Sequence, residues 1–165
     1  MIRIARLGDI EEIMTIVAET IEDMRKEGNC QWSTTYPTKS HFEEDIKNNN
    51  LYIYEKNNEV AGFICISNTE DNAYQPLSWR KSQKAIVIHR FAVNRKYQRQ
   101  SIGTKLVEFA EQLSRNKGIN YVKVDTNSKN IRMNNLFQKL GFVFIGQITL
   151  RNLPDKFNCY DKILE

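Results

Sequence analysis

Residues 97–106, Tyr-Gln-Arg-Gln-Ser-Ile-Gly-Thr-Lys-Leu, follow a β-branched run and open a stretch whose apolar residues fall at helical spacing. Unpaired N–H groups at a helix start, reinforced by the positive end of the helix dipole, hold a phosphate without a cationic side chain. Gly103 has no Cβ to obstruct a close ligand, and Ser101 is small and keeps a side-chain donor. The chemistry this permits is pyrophosphate binding on backbone amides. Spacing removes two other phosphate loops. Gly103-Thr104-Lys105 has the wrong order for a Walker loop and no G-x-G-x-x-G occurs, so nucleoside triphosphate and dinucleotide chemistry are excluded. Taken alone, the segment also reads as a strand-to-helix turn that binds nothing.

Its neighbours narrow the choice. Gln98-Arg99-Gln100-Ser101-Ile102-Gly103 fits the pattern (Gln/Arg)-x-x-Gly-x-(Gly/Ala), with Ser101 where glycine is usual. Phe91-Ala92-Val93 precedes it. Asp125-Thr126-Asn127, then Asn130, then Leu136-Phe137-Gln138-Lys139-Leu140-Gly141-Phe142 follow. In these motifs and their order the chain resembles the GNAT family of N-acetyltransferases over roughly residues 85–150. The resemblance implies an α/β fold, a mixed and mostly antiparallel central sheet of about seven strands flanked by four helices. It implies one N-acetyltransferase domain over residues 1–165, with acetyl-CoA as acetyl donor and no metal. The acceptor would be the primary amine of a small molecule or peptide, attacking directly in a ternary complex. A non-catalytic acyl-CoA-binding or sensing protein on the same fold is the alternative. Cofactor contacts are expected at Phe91, Ala92, Val93, Gln98, Arg99, Gln100, Ser101, Ile102, Gly103, Thr104, Asn130 and Phe137.

In the implied reaction the protein aligns two ligands, accepts a proton from an amine that is mostly ammonium at neutral pH, and stabilises an oxyanion. A backbone N–H near Phe91 or Ala92 would face that oxyanion. His89 is the candidate base, against the alternative of a hydrogen-bonded structural histidine. The family's general acid, a tyrosine in the last helix, corresponds here to Phe137, which cannot donate a proton. Tyr160 or Tyr97 would substitute, or the thiolate leaves unaided, as a group of pKa ~8.5 can. The acceptor is expected to meet Gln31, Trp32 and Tyr36 from one polar connection and Trp79 from another. The two tryptophans read equally as an acceptor pocket or as cover for the core or for a homodimer contact.

Bulk properties set the frame. A chain of 165 residues is long enough to bury an ordinary core. Its first residues lack the apolar core of a signal peptide and no run reaches the ~20 apolar residues of a membrane helix, so no membrane role and a cytoplasmic location are expected. Cys30, Cys65 and Cys159 are odd in number and far apart, and neither His41 nor His89 has a partner at ligand spacing; reduced thiols and no metal follow. The net charge of +4 is modest, and a nucleic-acid partner is not expected. Residues 72–107 contain no acid while holding Arg80, Lys81, Lys84, Arg90, Arg95, Lys96, Arg99 and Lys105, a field suited to coenzyme A phosphates.

The elements that must position these groups can be placed from periodicity. Strands are expected at residues 2–5, 51–55, 60–67, 85–93, 121–125, 142–150 and 158–164. Asp9 with Glu12 forms a capping pair for a helix over 10–26, and Ser40 with Glu43 for a shorter one ending at Asn48-Asn49-Asn50. A third helix follows the phosphate loop and ends at Gly118, and a fourth, carrying Met133, Leu136, Phe137 and Leu140, stops at Gly141. Lys56-Asn57-Asn58-Glu59 is expected as a hairpin, and residues 68–82 as a long loop.

Overall fold

The computed structural model describes residues 1–165. In chain order the elements are β1 (Ile2–Ile4), α1 (Ile10–Lys26), α2 (Lys39–Lys47), β2 (Leu51–Lys56), β3 (Glu59–Ser67), β4 (Ile86–Val93), α3 (Ile102–Asn116), β5 (Tyr121–Asn127), α4 (Ile131–Lys139), β6 (Val143–Ile148) and β7 (Phe157–Ile163). The strands form one sheet in the order β1-β2-β3-β4-β5-β7-β6, antiparallel throughout except where β4 meets β5. This is the mixed sheet of seven strands and four helices that the motifs imply. The β2–β3 hairpin turns on Asn57 and Asn58, both at positive φ, as their residue type allows.

Alternation along the strands builds two apolar faces. On one, Leu106, Val107 and Ala110 of α3 and Phe137 of α4 pack against Ile64, Ile88, Val122 and Val124. On the other, Ile13, Ile16 and Val17 of α1 and Phe42 of α2 cover Ile53, Phe63 and Cys65, with Trp32 stacked on Phe63 at 6.2 Å. Phe137 is fully buried against the rings of Phe91, Phe142 and Tyr160. Phe137→Ala is therefore expected to lose about 3–5 kcal/mol of stability, read as a lower urea midpoint at constant slope.

Three local expectations are corrected. Asp9 does not cap α1; it accepts the Arg6 amide at 2.7 Å and both Nη atoms of Arg3 at 2.9 Å, because a short 3-10 turn over Leu7–Asp9 intervenes. Glu12 instead reaches across to the Val60 amide at 2.8 Å. α2 is capped by Thr38, whose amide donates to His41 Nδ1 at 2.9 Å, and starts at Lys39 ahead of the Ser40–Glu43 pair. The basic stretch is no continuous field, since folding brings Asp161 to Arg80, Asp45 to Arg90, Glu22 and Asp23 to Arg95, and Glu59 to Lys96. Within the long loop, residues Asn72–Tyr74 form a 3-10 turn that buries Tyr74 against Val87, Ile148 and Phe157. No helix is long and apolar enough to cross a membrane.

Candidate active site

The site begins with a fault in β4. Ile64 of β3 pairs with Phe91 and Ile66 with Ile88, so His89 and Arg90 together oppose the single residue Cys65. Such a bulge bends its strand and resets the phase of the side chains. Both His89 and Arg90 consequently face the same cavity. The bend also ends the pairing of β4 with β5, which runs only from Ile86 opposite Val122 to Ile88 opposite Val124. β5 continues to Asn127 along β7. Past Ile88 a V-shaped gap thus opens in the middle of the sheet.

At the open side of the gap lies a cleft of about 480 Å³, floored by the N-terminus of α3. None of the amides from residues 99–104 donates to a backbone carbonyl; the first to do so is Lys105, to Ser101 at 3.0 Å. These free donors, with the helix dipole behind them, are what an anion requires. Ser101 sits at φ 60°, ψ 16°, the left-handed region. This explains why glycine is usual there, and serine holds the same turn at roughly 1–2 kcal/mol of conformational energy. A Cβ built on Gly103 would stand 3.4 Å from Leu136, 3.6 Å from Phe91 and 3.6 Å from Val93, three residues that line the cleft. The glycine keeps that slot open. Arg132 donates to Gln98 at 2.7 Å, and neither Arg99 nor Arg132 has a carboxylate partner.

Ten of the twelve expected cofactor residues line this cleft: Phe91, Ala92, Val93, Gln98, Arg99, Ser101, Ile102, Gly103, Thr104 and Asn130. Gln100 does not, its side chain being held by Lys56. Phe137 lies deeper, on a connecting cavity of about 30 Å³ within the gap. That small cavity shares Met24, Phe91, Asn130 and Met133 with the cleft. It shares Gln31, Trp32, His89 and Asp125 with a third space of about 90 Å³, which adds Tyr36, Asp71, Tyr74, Arg90 and Arg151. A line of cavities therefore runs from the α3 amides through the gap between β4 and β5.

The titratable groups at the junction differ from those expected. Asp125, the first residue of β5 past its last pairing with β4, borders both inner cavities and accepts the Tyr74 hydroxyl at 2.5 Å. Burial pushes its carboxyl up to about 6, with the Tyr74 bond and the charge of Arg151 pulling the other way. His89 borders the same space and bonds Ser67 Oγ at 2.7 Å. Burial and the adjacent Arg90 guanidinium push it down to about 4, which leaves it neutral at pH 7 but a feeble base. Asp125 is the better-matched proton acceptor. Its sequence trace was a carboxylate in a strand, on the face opposite the apolar Val122 and Val124.

Gln31, Trp32 and Tyr36 are brought together at the inner cavity. Trp79 is not; it packs on Tyr74, donates Nε1 to the Tyr74 carbonyl at 2.8 Å, and carries Lys123 on its ring at 4.4 Å. Tyr160 lies in the core, its hydroxyl given to Asn134 at 2.6 Å, and lines none of the three cavities. Tyr97 walls the cleft but its hydroxyl is committed to Glu59 at 2.6 Å. Neither tyrosine presents a free acid. No group of three or more His, Cys, Asp or Glu is arranged to hold a metal.

Residues 17–142 match the family model described as Acetyltransferase (GNAT) family, and the chain belongs to this family of acetyltransferases. Among curated proteins it is similar to YesJ, an uncharacterized N-acetyltransferase of Bacillus subtilis (strain 168), with 21% identity over 84% of this chain and 78% of that one. Among solved structures, the fold is shared with a GNAT-family acetyltransferase from Streptococcus agalactiae, at 22% identity and TM-score 0.88, covering 100% of this chain and 95% of the other. It is shared also with YncA from Salmonella typhimurium, assigned as an acetyltransferase and solved with its cofactor acetyl-CoA. There the identity is 15% and the TM-score 0.74, over 100% of this chain and 94% of that one.

Proposed function

We propose that residues 1–165 act as one N-acetyltransferase domain, carrying the acetyl group of acetyl-CoA to a primary amine on a small molecule. The observation that carries this reading is the line of cavities, with room for one ligand on the α3 amides, room for another beside Gln31, Trp32 and Tyr36, and Asp125 where they meet. The name of YncA, a fold relative with acetyl-CoA as its cofactor, supports the choice of donor. The open slot at Gly103 and the free amides of residues 99–104 fit a pyrophosphate-bearing ligand.

The residues then divide the work. Backbone amides and Gly103 seat the donor, while Phe91 and Phe137 give the connecting cavity an apolar wall. Asp125 accepts a proton from the incoming ammonium, which frees the lone pair for attack. The N–C bond forms as the C–S bond breaks, and the second amine proton leaves to solvent or to the departing sulfur. With Tyr97 and Tyr160 both committed elsewhere, that sulfur leaves without a tyrosine acid.

Titration calorimetry with acetyl-CoA is expected to give micromolar or tighter binding, about −8 kcal/mol, and an amine panel to give amine-dependent thiol release. No binding would end the reading. Binding without thiol release for any amine would leave an acyl-CoA-binding protein in its place.

A further inference from the structure

On the reading just given, we infer that the acceptor carries a carboxylate beside its amine, the chemistry of a free amino acid, and that Arg151 receives it. The inner cavity separates two charges of opposite sign. Asp125 lies at its deep end, on the wall shared with the connecting cavity. Arg151 is an exposed residue that borders the inner cavity but not the connecting one, which puts it at the mouth.

Arg151 is also the one arginine of this space with no carboxylate in direct contact. Arg90 is held by Asp45 at two points, 2.7 and 2.5 Å, and donates to Tyr36 at 3.0 Å. Arg151 has no carboxylate within 4.0 Å; it makes a single bond, to the Gln31 carbonyl at 2.8 Å. Its guanidinium carbon lies 3.9 Å from the centre of the Tyr36 ring, a contact that anchors the group, while its Nε and Nη1 make no hydrogen bond. A planar fork held in this way matches a carboxylate.

The remaining charged residue of the cavity, Asp71, accepts the Ala73 amide at 2.9 Å and adds negative potential. A ligand positive at one end and negative at the other satisfies this arrangement. A polyamine would leave Arg151 facing a second cation, and a polypeptide N-terminus carries no carboxylate so close to its amine. The cavity, at about 90 Å³, also favours a compact acceptor.

The test compares each common free amino acid with its own amide, by thiol release with acetyl-CoA and by calorimetry into protein saturated with coenzyme A. The expected result is a preference for the acid of about 10- to 100-fold for the best side chain, in kcat/KM and in affinity. In Arg151→Gln the preference should shrink to within about twofold, and in Arg151→Lys part of it should survive as a point charge without the fork. Acid-dependent binding without turnover would refute the transferase reading and leave the carboxylate site standing. Equal use of acid and amide, no binding of any amino acid, or a preference that persists in Arg151→Gln would overturn the inference.

Discussion

Asp125→Asn is expected to lower turnover by about 10²- to 10⁴-fold, the usual worth of a positioned proton acceptor. Asparagine keeps the size of the side chain and an oxygen for the Tyr74 hydroxyl, and loses the negative charge together with the ability to take a proton. The parent enzyme's kcat/KM should fall as pH drops through about 6, where Asp125 takes its proton, and the variant should lack that limb. Stability should move in the opposite direction. The folded pKa lies above the ordinary 3.8, so the native state prefers the protonated form. The penalty is absent below pH ~4, grows between ~4 and ~6, and above that reaches about 3 kcal/mol. Asp125→Asn should thus unfold at a higher temperature than the parent at pH 7, with the difference vanishing near pH 4. A slower and more stable variant marks a carboxylate retained for chemistry. A variant of unchanged rate would remove Asp125 from the mechanism.

Gly103→Val is expected to weaken coenzyme A binding by about 100-fold or more while the protein stays folded. The first carbon of the new side chain meets Leu136, Phe91 and Val93 at ordinary contact distances, so the helix accepts it. The two further methyls are expected to intrude on the cleft that those three residues line. Gly103→Ala, which adds only the first carbon, should lose far less. Calorimetry measures the affinity and thermal unfolding the fold. Undiminished affinity in a folded Gly103→Val protein would place the pyrophosphate elsewhere.

What could be read in advance followed from short-range physics. The Asn57-Asn58 turn, the opening of α3 at a small-residue loop, and the apolar stripes of α1 and α3 depend on residues within a few positions of each other. Long-range pairing was not legible. Glu12 looks like a helix cap until β3 delivers the Val60 amide, and Arg80 and Arg90 look like free cations until Asp161 and Asp45 arrive from distant strands and helices. The site divided along the same line. The residues of the α3 loop form one contiguous stretch and were recognisable as such. Asp125 acquires its meaning from Tyr74 and from burial, and Arg151 from a ring more than a hundred residues earlier in the chain, Tyr36. His89 had the right residue type, and only its surroundings, burial and the neighbouring Arg90, push its pKa down.

The bulge at His89 and Arg90 has a consequence for how this chain can vary. The passage through the sheet exists because β4 spends one residue more than β3 over the same span, so it depends on a length and not on any particular side chain. Exchange of either residue leaves the passage in place and retunes what lines it. Removal of one residue would return the strand to step with β3, with Phe91 still opposite Ile64 and Ala92 opposite Phe63, but would take away the bend and let β4 close against β5. Such a protein would keep its sheet, its two apolar layers and its α3 loop, yet its two ligand spaces would no longer communicate. Across variants of this fold, the spacing between Ile88 and Phe91 should therefore be held more rigidly than the identity of the pair it encloses.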